Sequence, residues 1–382
     1  MRRLVHVLPR LEQGGAERVL IDVSRQLTDR WDQVVISLAD RGALADTIEA
    51  SGIPVHTIGM HPTIPNPLAF SRLVRLLRRL GPDLVETWLY KADLVGGLAT
   101  RLAGRPPLLW SVQQTHLEPV GRLRSNVVAA HACARLSRRL PTLILCASEE
   151  AARAHEELGY DSDKLRVVPN GVDTTAFRPD SDARTRVRAE LGLPASTAIV
   201  GLVARFDPQK DHATFARAAR AIVEQHAEIH FVLCGRRITP ENQELTNLLE
   251  NAGIRDRVSL LGVRHDMPAI TAAFDIATSS SAFGEAFSVA ISEAMASGVP
   301  CVATDSGNAA ALIDDVGRVV PARNPSALAA GVLELLQLPE QERQTLGRRA
   351  RRRVEANFSI DAVAEQYDAT FEEVLRVSHA RP

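Results

Sequence analysis

Short apolar runs alternate with amphipathic stretches along nearly the whole chain. "LVHVL" (4–8) precedes a helical pattern from Gly15 to Leu27, and "QVVISL" (33–38) precedes another from Leu44 to Ala50. "IPVHTI", "PDLVET", "PLLWSV" and "TLILCAS" continue the rhythm. Uniformly apolar runs separated by helices predict parallel strands covered on both faces. The first half therefore reads as a doubly wound α/β domain. The rhythm breaks at "VVPNGVDTTAFRPDSDARTR" (167–186), where Pro169, Asn170, Gly171 and Pro179 mark turns. A second alternation follows: "AIVGLVARF", "IHFVLCG", "VSLLG", "DIATSSS", "VPCVAT" and "GRVVP". The expected organisation is one Rossmann-like domain over 1–178, a second over 179–358, and a terminal amphipathic helix in 359–382. Ligands of doubly wound sheets bind at the carboxyl ends of the strands, so a cleft between the two domains is the expected active site.

Composition agrees with this reading. A chain of 382 residues with 45% apolar content can fill two cores. A net charge of −1 argues against a general nucleic-acid binder. The charge is uneven, with 19 Lys+Arg against 12 Asp+Glu over residues 1–141. Two basic amphipathic stretches lie there, at 72–83 and 121–141. They read first as solvated helix faces, and second as attachment to an anionic membrane surface. Cys133, Cys146, Cys234 and Cys301 are far apart, with no CxxC and no pairing with nearby His residues. No metal site or disulfide framework is expected, and reduced thiols fit a cytoplasmic setting, including the inner face of a membrane. No stretch approaches the roughly 20 apolar residues of a membrane span, and the N-terminal apolar run is too short for a signal peptide.

Three segments could carry chemistry. In "LPRLEQGGAERVL", Gly14 and Gly15 open a helix directly after the first strand, where backbone N–H groups and the helix dipole attract phosphate. Glu17 reads as a first-turn helix acid. In "GLVARFDPQKD", Arg205 and Lys210 follow the first strand of the second domain, and two cations there suit a diphosphate. In "FGEAFSVAISEAMASG", Glu285 is expected at a loop end and Glu293 about two turns into a helix. Helical rise would separate them by about 12 Å. That is too wide for the carboxylate pair of a retaining glycosidase, about 5 Å apart, and suits contacts to opposite ends of one long ligand. Trp31, Trp88 and Trp110 read as core, with Trp88-Leu89-Tyr90 also placed to line an acceptor side.

The pattern Glu285-x7-Glu293, with "GGAE" (14–17), "PNGVD" (169–173) and "ARFDPQKD" (204–211), resembles the retaining glycosyltransferase family 4 over nearly the whole chain. That family has the GT-B fold and uses nucleotide sugars. The resemblance implies a nucleotide diphosphate sugar donor held mainly by the second domain, and a glycan, lipid-linked or small-molecule acceptor. Arg205 and Lys210 would neutralise the diphosphate, Glu285 would contact the donor sugar, and Glu293 the ribose. Backbone N–H groups of Ala286, Phe287 and Ser288 would help hold sugar and phosphate, and Gly14 and Gly15 would close over the phosphate. The family uses neither metal nor cofactor, and its terminal helix crosses back to the first domain. Many relatives carry a functional histidine after a strand of the first domain. Here "LLWSVQQTHLEP" offers His116, with Gln113 or Gln114 as alternative occupants of that position. Relatives also often show a Gly-Gly-x-x-Glu turn, where this chain has "TDSGNAAALIDD" with Asn308. Two rivals are a sugar-nucleotide 2-epimerase of the same architecture and a catalytically silent scaffold subunit.

Overall fold

The computed structural model describes residues 1–12, 14–61, 66–113 and 124–379. It divides into two compact units, Met1–Gly171 with Ile360–Pro382, and Val172–Ser359. The division falls at Gly171/Val172, ahead of the 178/179 position read from the sequence, because the intervening residues are tied into the second unit. The Val172 N–H donates to Phe358 O at 2.9 Å. The Arg351 guanidinium donates to Thr174 O and Phe177 O at 3.1 and 2.9 Å.

Unit 1 runs β1 (Arg2–Leu8), α1 (Gly15–Gln26), β2 (Trp31–Ser37), α2 (Ala45–Glu49), β3 (Val55–Thr57), α3 (Pro67–Leu80) and β4 (Leu84–Trp88). It continues with α4 (Leu89–Leu102), β5 (Leu108–Val112), α5 (Arg124–Leu136), β6 (Leu143–Cys146), α6 (Glu149–Glu157) and β7 (Leu165–Val167). Unit 2 runs α7 (Ser181–Glu190), β8 (Ala198–Val203), α8 (His212–Val223), β9 (Ile229–Cys234), α9 (Gln243–Asn251), β10 (Val258–Leu260) and α10 (Met267–Ala272). After β11 (Ile276–Ser279) come α11 (Val289–Ala296), β12 (Cys301–Thr304), α12 (Ala309–Ile313), β13 (Arg318–Val320), α13 (Pro325–Gln337) and α14 (Glu340–Asn357). The tail helix α15 (Ile360–His379) belongs to unit 1.

Both sheets are parallel. Unit 1 has the order β3-β2-β1-β4-β5-β6-β7 and unit 2 the order β10-β9-β8-β11-β12-β13. Each order reverses direction once, between β1 and β4 and between β8 and β11, and at such switch points the loops after the strands part to leave a crevice. The central strands are mostly apolar on both sides because both faces of each sheet are covered. On β1, Leu4 and Leu8 pack with α1 and α15, whereas Val5 and Val7 pack on the opposite face with α3, α4 and α5. Local signals set the helix ends. The Asn66 side chain accepts from the N–H groups of Leu68 and Ala69 at 3.1 and 3.0 Å, Pro67 stands first in α3, and Gly81 ends it at φ 56°.

The tail helix is a core element. Tyr367, Phe371 and Val374 are fully buried. Phe371 meets Trp31 edge-on at 5.5 Å between centroids, and Tyr367 stacks on Trp88 at 6.3 Å. Trp31, Trp88 and Trp110 are all buried.

One buried acid sets a pH dependence. Asp93 on α4 is fully buried, and its carboxyl accepts from Thr87 Oγ1 at 2.5 Å while its second oxygen has no partner. Burial holds its pKa well above the usual carboxylate value, against the Thr87 hydrogen bond. The folded state thus keeps a proton that the unfolded chain releases near pH 4. Its contribution is whole below that pH and is lost as pH rises toward the folded-state value. Asp93→Asn is expected to flatten the fall in unit 1 melting temperature between acid and neutral pH, as measured by thermal melts across that range.

Candidate functional site

The unit 2 switch point gathers the charged residues singled out above. Arg205 follows β8 directly, and the turn carrying Lys210 leads into α8. Asp207 caps this turn by accepting from the Gln209 N–H at 3.0 Å. Burial alone would raise the Asp207 carboxyl, but the Gln209 N–H and the nearby Arg205 and Lys210 cations outweigh it and hold its pKa below the ordinary value. Asp211 adopts a left-handed backbone (φ 45°, ψ 58°) and caps α8, accepting from the Thr214 N–H at 3.0 Å. This sharp reversal sets the end of the turn beside the segment that follows β11.

The two segments are stitched together. Ala282 N–H donates to Gln209 O at 2.8 Å, and Ser280 Oγ donates to Lys210 O at 2.7 Å. Lys210 Nζ contacts Glu285 Oε1, the same oxygen that accepts from Ser281 Oγ at 2.7 Å. Residues 75 apart in sequence thus form an ion pair with little solvent around it, the side chains being 18% and 9% exposed. Arg205 is more open, at 41%, and spans Asp207 Oδ2 at 3.3 Å and Gln209 Oε1 at 2.8 Å. Behind this turn His212 is buried, packs against Phe206 at 5.2 Å, and finds no hydrogen-bond partner for either ring nitrogen. Burial, reinforced by Lys210, lowers its pKa to about 4, so the ring is neutral at physiological pH.

Gly307, after β12, supports the acid from below. Its φ is +68°, and a Cβ there would sit 1.5 Å from Glu285 O, so only glycine lets the two backbones approach. Asn308 accepts from the Ser288 N–H at 3.2 Å. Of the amides at Ala286, Phe287 and Ser288, this one is thus held by the protein itself. Glu293 is half-buried on α11. The helix begins only at Val289, so Glu293 is its fifth residue, just over one turn in, and not two. Gly284 at φ +74° and the Asn308 bond keep the intervening residues non-helical.

In unit 1, Gly14 and Gly15 stand exposed at the start of α1, at the β1 side of the switch point. Gly15 faces open space, whereas a Cβ on Gly14 would lie 2.3 Å from Glu17 Oε2. Burial raises the Glu17 pKa. Across the same switch point Leu89 holds a left-handed backbone, φ 69°, directly after β4. Such strain in a non-glycine residue clusters at functional sites, and sequence periodicity gives no sign of it. Gln113 directly follows β5, whereas Gln114 and His116 lie outside the described residues.

Residues 183–353 match the family model described as Glycosyl transferases group 1, and residues 13–176 match Glycosyltransferase Family 4. A D-inositol 3-phosphate glycosyltransferase of Salinispora tropica is 32% identical over 390 residues, covering 92% of this chain and 79% of the relative. The UDP-Gal:alpha-D-GlcNAc-diphosphoundecaprenol alpha-1,3-galactosyltransferase of Escherichia coli is 28% identical over 315 residues, covering 80% of this chain and 79% of the relative. Among solved structures, Anabaena Alr3699/HepE in complex with UDP-glucose superposes with a TM-score of 0.84 at 25% identity, covering 97% of this chain and 99% of that one. With two parallel Rossmann-like units and relatives spanning both, the chain belongs to glycosyltransferase family 4 and is a glycosyltransferase of GT-B fold.

Proposed function

We propose that this glycosyltransferase binds a uridine diphosphate sugar at the unit 2 switch point and transfers the sugar, with retention and without a metal, to a lipid-linked or glycan acceptor. The Lys210–Glu285 pair carries this reading. It sets a cation and an acid side by side at the carboxyl ends of β8 and β11, with Arg205 on the same turn. In this assignment Lys210 and Arg205 meet the diphosphate, Glu285 the donor sugar and Glu293 the ribose. The amides of Ala286 and Phe287 add donors. Relatives support the donor class: one is solved with UDP-glucose and another is named for UDP-Gal. The acceptor class rests on the second of these, whose name specifies a diphosphoundecaprenol-linked sugar.

In the reaction, the bond from the anomeric carbon to the diphosphate oxygen breaks. A bond to the acceptor oxygen forms on the same face, and the acceptor proton passes to the departing diphosphate. Negative charge grows on that diphosphate, where two fixed cations stabilise it without reorganising. These cations meet the charge requirement that a divalent metal meets elsewhere, so a chelator is expected to leave turnover unchanged. The buried thiols of Cys133, Cys146, Cys234 and Cys301 accord with a reducing compartment such as the cytoplasm.

A thermal-shift titration tests the donor assignment. UDP at about a hundred times its dissociation constant is expected to stabilise the protein by roughly 2.7 kcal/mol. Arg205→Ala and Glu293→Ala should each weaken that shift. A shift that survives both substitutions would place the nucleotide elsewhere. The anomeric coupling of the product, read by NMR, tests retention.

A further inference from the structure

The layer formed by α3, α4 and α5 over one face of the unit 1 sheet has an unusual outer surface. These helices are neighbours: Arg78 Nη2 donates to Leu102 O at 2.7 Å across α3 and α4, and Cys133 Sγ donates to Tyr90 O at 3.4 Å across α5 and α4. Four of the six large apolar side chains exposed among the described residues lie on them, namely Leu68, Leu98, Leu102 and Val128. Scattered exposed leucines are ordinary, but Leu98 and Leu102 stand one turn apart on the same side of α4, and adjoining exposed apolar side chains mark an interaction surface.

On α3, α4 and α5 the exposed charge has a single sign, whereas α6, packed on the same side of the sheet, exposes Glu149, Glu156 and Glu157. On α3, Arg72, Arg75, Arg78 and Arg79 are exposed, and no acid occurs in the helix. Arg101 and Arg105 flank Leu102 on and after α4, whose one acid is the fully buried Asp93. Arg135, Arg138 and Arg139 are exposed at and after the end of α5. None of these arginines takes part in an ion pair among the described residues. Exposed arginines elsewhere commonly do, as in Arg2–Glu372 and Arg349–Asp315. The helix dipole favours cations at helix C-termini and accounts for Arg78, Arg79, Arg101 and Arg135. It accounts neither for Arg72 and Arg75 in mid-helix nor for the exposed leucines. A depression of about 160 Å³ at the C-terminal end of α4 is lined by Arg101, Arg105 and Arg139, three cations from two segments, with Thr100, Thr142 and Ser378.

We propose that this face docks unit 1 on an anionic phospholipid bilayer. The helix axes lie in the membrane plane, Leu98 and Leu102 enter the headgroup region, and Arg101, Arg105 and Arg139 receive a lipid phosphate. Apolar tips beside arginines that have no acidic partner combine the two attractions that hold an interfacial surface on charged lipid. A second copy of the chain is a poor occupant, because a two-fold pairing would set arginines against arginines. The proposal rests on this surface alone and stands or falls separately from the donor assignment.

Co-sedimentation of the whole protein with vesicles provides the test, comparing phosphatidylcholine alone with a mixture containing roughly a third phosphatidylglycerol. Binding is expected only to the anionic vesicles, with weakening at high salt. Leu98→Ser with Leu102→Ser, and separately Arg101→Glu with Arg105→Glu, should each lower the partition coefficient at least tenfold. Arg348→Glu with Arg352→Glu on α14 makes the same charge change elsewhere and should leave binding intact. Unchanged melting temperatures confirm that each variant is folded, and Leu98→Ser alone serves if the pair is not. The proposal is overturned if the serine variants bind vesicles like the parent, or if both control and test reversals act equally. It is also overturned if heparin binds as tightly as the vesicles, or if the serine variants dissolve a dimer seen by sedimentation.

Discussion

Lys210→Ala is expected to lower kcat/KM by about two to three orders of magnitude, the loss typical when one fixed donor to a developing anion is removed. The substitution also strands Glu285, whose side chain is only 9% exposed and whose contacted oxygen would keep only the Ser281 hydroxyl. Removing one member of a buried pair costs up to about 3–5 kcal/mol when both groups are fully desolvated. Here Lys210 retains some solvent, so the cost should be smaller, a drop of several degrees in the unit 2 melting temperature. Lys210→Ala combined with Glu285→Gln separates the two effects. The double variant should regain most of the lost stability and none of the activity. Recovery of turnover together with stability would mean that Lys210 serves only to neutralise Glu285.

Phe371→Ala should carry the largest stability cost. The ring is fully buried on α15, edge-on to Trp31 and 5.9 Å from Tyr367. Truncating a buried phenylalanine costs about 3–5 kcal/mol through lost transfer energy and the cavity that remains. The cavity would open between α15 and the sheet, among Trp31, Tyr367 and their core neighbours. Denaturant melts should show unit 1 unfolding at markedly lower denaturant.

Much of this fold is legible in the sequence because burial on both faces leaves a simple trace. "AIVGLV", and "LVHVL" but for His6, are apolar at consecutive positions because helices cover both sides of β8 and β1. The turn cluster after Val167 likewise announces the passage between units. Within the candidate site, Arg205, Lys210 and Glu285 are visible as residues following strands. Their convergence is not, because no local period encodes that β8 and β11 are neighbours across the switch point. Glu293 lies less deep in its helix than its pattern predicts for a similar reason. Its helical pattern extends back through Glu285, but Gly284 and the distant Asn308 hold 284–288 out of the helix. The departure at Asn308 was nevertheless readable, since an amide stands where a glycine–glutamate turn is common. Leu89 left no trace, because a left-handed leucine is imposed by the strand-to-helix junction and not by any propensity of its own.

Hydrogen–deuterium exchange with and without UDP tests the central assignment most directly. If the carboxyl ends of β8 and β11 cradle the nucleotide diphosphate, peptides spanning 204–212 and 281–293 should gain protection together, and Lys210→Ala should abolish the gain. UDP binding that leaves both segments unprotected, while protecting others in either unit, would contradict the account.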